Sequence, residues 1–159
     1  MIFVTLGTQD KSFTRMLDII DKAIVNGIIK DKVIVQSGYT KYYSKNMEIF
    51  DYIDSDRFLE IIKSSDVLIT HAGVGNIFTG LENNKKVMAI PRLSEYKEHS
   101  NDHQLDIVNK FREEGYILSF STYDEFVDNY KKIDSFVPKK YESNTLNMIS
   151  LIKNYIDNN

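Results

Sequence analysis

Apolar positions along the chain follow two rhythms. Short unbroken runs at residues 2–6, 33–35, 67–70 and 87–90 alternate with longer stretches where apolar residues recur every three or four places. The runs read as buried strands, and the longer stretches as amphipathic helices. A helix is predicted over 12–26, with Ser12 as its cap and Phe13, Met16, Leu17, Ile20 and Ile24 on one stripe. Residues 47–52 alternate as a further strand. A short helix follows over 56–63, with Ser55 or Asp56 capping it, and another is predicted over 77–82. Beyond a polar loop at 92–100, a helix is predicted over 102–111 with Asn101 or Asp102 as cap. A strand follows over 116–120, then a short helix opened by Thr122 or Asp124, and a last helix over 141–155. Strand–helix units with uniformly apolar strands predict an α/β fold, a Rossmann-like parallel sheet with helices on both faces. The division expected is a nucleotide-binding domain over 1–133, with the Pro138-containing segment and last helix (134–159) as a docking element for a partner.

Composition narrows this picture. A chain of 159 residues that is 42% hydrophobic can bury a core without staples. Zero Cys removes disulfides, thiolate metal sites and cysteine nucleophiles. A net charge of −3 argues against nucleic acid as partner. No stretch reaches the ~18 apolar residues of a membrane span, and the first residues lack the pattern of a signal peptide. The chain is therefore expected to be cytoplasmic.

Candidate chemistry gathers where strands give way to helices, since ligands of such sheets bind beyond the strands' carboxyl ends. Two turns there carry glycine, Gly7-Thr8 after the first strand and His71-Ala72-Gly73-Val74-Gly75-Asn76 after the fourth. Glycine permits close backbone approach, and the amides of a helix start attract anions, so a diphosphate is the natural guest. Both would serve equally as plain connections. Phe78 stands where a G-x-G-x-x-G motif needs its third glycine, and no Walker lysine is present, which disfavours dinucleotide and P-loop enzymes. The polar loop holds Arg92, suited to a phosphate or carboxylate. His99 and His103 sit at an i, i+4 spacing that binds zinc only if both lie on one helix. Asn101, His103 and Gln104 are suited to sugar hydroxyls. Asp54-Ser55-Asp56 is either a helix cap or a metal-binding pair. The segment 39–45 mixes tyrosines with lysines and reads as a solvated loop, or as a surface that meets nucleic acid or a membrane.

Three stretches together resemble a known family. Residues 3–8, the turn 70–76, and Pro91-Arg92-Leu93 with residues 98–104 occur in the order and spacing of the C-terminal, donor-binding half of glycosyltransferase family 28, a GT-B fold. The likeness extends to small bacterial subunits of two-part exopolysaccharide and capsule glycosyltransferases. It extends also to the catalytic subunit of the eukaryotic two-part enzyme acting on dolichol-linked N-acetylglucosamine.

The resemblance implies a UDP-sugar-binding catalytic subunit of an inverting transferase that needs no cofactor or metal, with glucose or galactose as the sugar. It implies diphosphate contacts at Gly7, Thr8, His71, Gly73, Val74, Gly75 and Asn76, with Arg92 adding charge, and donor-sugar contacts at Asn101, His103 and Gln104. Thr79 stands where many members place a ribose-binding glutamate. His71 and His99 are the in-chain candidates for catalytic base, with the partner expected to supply it. That partner would be a membrane-associated, acceptor-binding subunit that recruits the chain to the inner face of the membrane and presents a lipid-linked glycan. Alone, the chain would be free to homodimerise. The rival readings are a noncatalytic nucleotide-sugar-binding subunit and a metal-dependent transferase using Asp54 and Asp56.

Overall fold

The computed structural model describes residues 1–141, and the helix expected over 141–155 lies outside the described residues apart from Tyr141. Strands β1 (Ile2–Thr5), β2 (Val33–Gln36), β3 (Glu48–Phe50), β4 (Val67–His71), β5 (Lys86–Ile90) and β6 (Leu118–Ser119) form one sheet in the order β3-β2-β1-β4-β5-β6. Every pairing is parallel, with Thr5 opposite Thr70 at the end of the central pair.

Alternation along the strands divides the core. Ile2, Val4, Leu6, Met88 and Ile90 face helices α1 (Thr14–Val25) and α5 (Tyr123–Tyr130), through Met16, Leu17, Ile20 and Phe126. Phe3, Leu68, Val87 and Ala89 face α2 (Ser55–Ser64), α3 (Val74–Glu82) and α4 (His103–Glu113), through Ile62, Ile77 and Val108. Both faces are covered, which is why the strand interiors are apolar and the polar residues Thr5, Gln36, Glu48, Thr70, His71, Lys86 and Ser119 fall at strand ends. Gly80 is where α3 comes closest: a Cβ there would stand 2.7 Å from both Leu68 Cδ2 and Val87 Cγ2.

Several local expectations are corrected. Ser12 does not cap α1. The helix begins at Thr14, and the Phe13 N–H donates instead to the buried Thr40 hydroxyl at 2.9 Å. Helix α2 is capped by Asp54, whose carboxylate accepts the Arg57 N–H at 3.0 Å and is held below its usual range mainly by that bond. Neither Ser55 nor Asp56 is the cap. Helix α3 begins at Val74, three residues earlier than its propensities suggest. The polar loop contains a 3₁₀ turn at Ser94–Tyr96. Helix α5 starts as expected at Thr122, which accepts the Glu125 N–H at 3.3 Å while Glu125 accepts the Ser121 N–H at 2.7 Å. The loop at 39–45 is pinned to α1 by Tyr42, whose hydroxyl donates to Asp18 at 2.9 Å, and by Ser44, which donates to Asp21 at 2.8 Å. The chain after α5 packs back on the domain: Lys139 N–H donates to the Gly115 carbonyl at 2.9 Å, and Tyr141 stacks on Phe78 at 4.7 Å. The described part of the 134–159 segment thus belongs to the same unit.

Thr40 and Phe13 are both fully buried, so Thr40→Val leaves a buried N–H without a partner at nearly constant volume. Urea unfolding should show a loss of roughly 1–3 kcal/mol.

Candidate functional site

Helix α1 leaves β1 toward β2 on one face of the sheet, and α3 leaves β4 toward β5 on the other. The chain diverges between β1 and β4, and a crevice opens at their carboxyl ends. A cleft of about 220 Å³ lies there, lined by Gly7, Thr8, Gln36, His71, Gly73, Gly75 and Asn76. Six of these were singled out in the sequence. Gln36 was missed because its place depends on β2 pairing beside β1; its side chain also accepts the Ile53 N–H at 3.3 Å.

The imidazole of His71 fills the space between the two turns. A Cβ on Gly7 would stand 2.8 Å from its Nε2 and closer still to Cε1; a Cβ on Gly73 would stand 2.8 Å from Cε1 and closer still to Nε2. Gly7 also holds φ +76°, a conformation that favours glycine. Burial, reinforced by the nearby Arg92 charge and opposed by a hydrogen bond with the Thr5 main chain, lowers the His71 pKa to about 4. The ring is therefore neutral at pH 7 and a weak base.

Gly73 occupies the cap position of α3 and brings no side-chain cap, so the first amides of the helix have no side-chain oxygen on them from that residue. A helix start of this kind carries about half a positive charge. With Gly75 and Asn76 on the cleft wall, that charge faces the cavity. Nothing stands within 4 Å of a Cβ built on Gly75, so the cleft is open at that point. Val74 is exposed beside it. The Thr79 hydroxyl donates back to the Gly75 carbonyl at 2.8 Å, one turn earlier on its own helix.

The third sequence stretch does not line this cleft. Arg92, 1% exposed, turns inward, and burial pushes its pKa down to about 10. Its guanidinium donates to the carbonyls of Leu6 (2.9 Å), Lys11 (2.8 Å) and Glu98 (3.3 Å), and lies 4.6 Å from the Phe13 ring centroid. In place of the phosphate contact expected of it, its terminal nitrogens serve the loops. Gln104 is also buried, and its oxygen accepts the Arg92 main-chain N–H at 3.0 Å. Asn101 accepts the His103 N–H at 3.2 Å, while Asp102 accepts the Ser94 N–H at 2.8 Å and makes no side-chain cap. His99 lies before α4, and its Nδ1 accepts the Asn101 N–H at 3.3 Å. His103 is exposed at the first position of α4, so the two histidines do not share a helix face. Among the described residues no group of three or more His, Asp or Glu is arranged to hold a metal ion. No helix among them is long and apolar enough to cross a membrane.

Comparison with known proteins follows the same lines. The family model for the glycosyltransferase family 28 C-terminal domain matches residues 1–157. The UDP-N-acetylglucosamine transferase subunit ALG13 of Candida glabrata is 29% identical over 139 residues, which cover 83% of this chain and 66% of that protein. The chain thus spans just under two thirds of that relative's length. A solution NMR structure of ALG13 superposes with a TM-score of 0.59 over 89% of both chains, at 20% identity. The glycotransferase of kitacinnamycin gives a TM-score of 0.61 at 16% identity, over 84% of this chain and 34% of the other. At these identities the two structural likenesses establish the fold, a Rossmann-like sheet shared with glycosyltransferases. The exopolysaccharide and capsule setting has no support among these relatives.

Two outcomes test the His71 packing. Gly73→Ala should destabilise the chain, and much of that cost should vanish in the His71→Ala background, because Gly73 has an ordinary φ of −78° and the three nearest atoms its Cβ would meet all belong to that ring. A double-mutant cycle by urea unfolding should give a coupling of roughly 0.5–3 kcal/mol. The lowered His71 pKa also sets a pH dependence. Unfolding restores a value near 6.5, so between about 6.5 and 4 the unfolded chain binds more protons. This contribution is complete above pH 6.5 and is lost as pH falls toward 4. It amounts to about 3 kcal/mol at most, read as the difference between the stability–pH curves of wild type and His71→Gln.

Proposed function

The chain belongs to the glycosyltransferase family 28 C-terminal domain family, and on that premise we propose that it is the UDP-sugar-binding catalytic subunit of an inverting, two-part glycosyltransferase. The observation that carries this reading is the cleft at the β1–β4 divergence, where two glycine turns and the start of α3 face one cavity. A diphosphate suits that cavity in size and charge. Amides at a helix start need no reorganisation as negative charge builds on a departing nucleoside diphosphate. Removing one such donor in other enzymes costs about 3 kcal/mol of barrier.

The acceptor hydroxyl would attack the anomeric carbon from the face opposite the diphosphate, with inversion. Its proton needs a base. With a pKa of about 4, His71 has little driving force to take that proton, so its part in this reading is to shape the cleft. His99 remains the in-chain candidate. The principal source in this reading is a second, membrane-associated polypeptide that holds a lipid-linked glycan and brings this chain to the membrane's inner face. The name of the Candida glabrata relative, a transferase subunit, supports a divided enzyme. That same name adds N-acetylglucosamine to glucose and galactose among the donor sugars to be compared. Thr79 keeps an oxygen free to accept from a ribose hydroxyl, in place of a carboxylate.

The weak basicity of His71 is also the observation that favours the second reading, a noncatalytic nucleotide-sugar-binding subunit. Sugar transfer measured with the partner present separates the two. Asp54 spends one carboxylate oxygen on the α2 cap, which supports the metal-free reading over a transferase using Asp54 and Asp56; full transfer in EDTA is the expected outcome.

Calorimetric titration should detect UDP at millimolar or tighter Kd. Gly75→Asp places a carboxylate at a helix start, in open space and with a favourable dipole. It should therefore keep or raise thermal stability while weakening UDP binding at least about tenfold, the size of a ~1.4 kcal/mol repulsion. Wild-type affinity in Gly75→Asp would remove the diphosphate from this cleft.

A further inference from the structure

Beside the cleft, a buried polar cluster joins three loops at the carboxyl end of the sheet. Arg15, in the first turn of α1, donates to both carboxylate oxygens of Glu98, at 2.9 Å from Nε and 2.7 Å from Nη2. The same guanidinium donates to the carbonyls of Pro91 at 2.7 Å and Ser121 at 2.9 Å. Tyr96 lies over it, 4.7 Å from ring centroid to Cζ. Glu98 is 3% exposed and also accepts the Leu93 N–H at 3.1 Å. Its own carbonyl receives Arg92, and Arg92 grips Leu6 and Lys11, the two ends of the loop that carries Gly7 and Thr8. The Arg92 main-chain N–H in turn donates to the Gln104 side-chain oxygen at the start of α4.

Charges withdrawn from water are a poor way to gain stability, since apolar packing does as well or better. What two planar guanidinium forks supply is direction: each fixes carbonyls on separate loops at set distances. Arg92 is placed by Glu98, and Glu98 is placed by Arg15. Arg15 does not line the cleft.

We infer that Arg15 is a positioning residue of the donor site: by gripping Glu98 it holds Arg92, and through Arg92 the Gly7–Thr8 loop and the start of α4 at a fixed spacing. This inference rests on reading the cleft as a diphosphate site, and the test separates the two. Wild type, Arg15→Met and Arg15→Lys are titrated calorimetrically with UDP at a temperature where circular dichroism shows each folded. Amide hydrogen exchange is followed in parallel. In Arg15→Met the UDP Kd should rise at least about tenfold, and exchange should accelerate at residues 7–11 and 93–104 while the β1, β4 and β5 amides keep their protection. Arg15→Lys should recover part of both effects.

Wild-type UDP affinity with unchanged loop exchange in Arg15→Met would overturn the inference. So would acceleration spread evenly over the sheet, the mark of a merely structural role. Should Arg15→Met fail to fold, Glu98→Gln, which keeps the side-chain shape, is measured in its place against the same outcomes. If wild type itself binds no UDP, the diphosphate reading fails. The exchange pattern alone then decides: acceleration confined to the two loops upholds the positioning role, and any other pattern overturns it.

Discussion

One aromatic ring without charge sets the geometry of this site. His71 ends β4, and the pairing of Thr5 with Thr70 at the end of β1 brings the two turns that follow to the same level. The imidazole occupies the gap between them, so neither turn can carry a Cβ at Gly7 or Gly73. The two backbones are thereby held one ring apart, and the remaining space is the cleft. Because the ring is buried and close to Arg92, it stays neutral. A neutral spacer leaves the cleft's field to the backbone, and the nearest source of positive potential is the start of α3. The glycines give shape here before they give flexibility.

Arg92 shows how far residue type alone can mislead. An arginine in a polar loop after a strand reads as a ligand contact, because charged residues are seldom fully buried. Its burial follows from three loops meeting at one end of the sheet with their carbonyls turned inward, and only a rigid multi-donor group satisfies them together. The same long-range origin explains Gln36, brought to the cleft by strand pairing, and Thr40, which serves an N–H 27 residues away in the chain. No local pattern encodes such partners.

What was legible came from local rules with strong consequences. The apolar runs located four of the six strands closely, and the alternation over 47–52 located β3. The sixth, β6, is reduced to two residues, and β3 is an edge strand with one exposed and two half-buried positions. The glycine turns marked the cleft because tight strand–helix connections leave few alternatives. Helix starts were less secure. Val74, Gly75 and Asn76 are weak helix formers, so propensity puts the start of α3 at Ile77. Packing of Ile77, Gly80 and Leu81 against the sheet favours an earlier start at Val74, and the first turn of the helix then places Gly75 and Asn76 on the cleft wall. At Asp54-Ser55-Asp56 each residue is an acceptable cap, and only the backbone geometry chooses Asp54.

The same geometry separates two tasks that a transferase must perform. Stabilising a leaving diphosphate calls for fixed dipoles and no titration near neutral pH; accepting a proton calls for a base with a pKa near the working pH. A ring held near pKa 4 meets the first demand, since it neither repels an anion nor changes charge as one departs. It meets the second poorly, and the demands conflict: exposing His71 enough to raise its basicity would open the gap that keeps the two turns apart. In a two-part transferase of the kind proposed, a base on a second polypeptide would escape this conflict, because it would not share the packing that shapes the cleft.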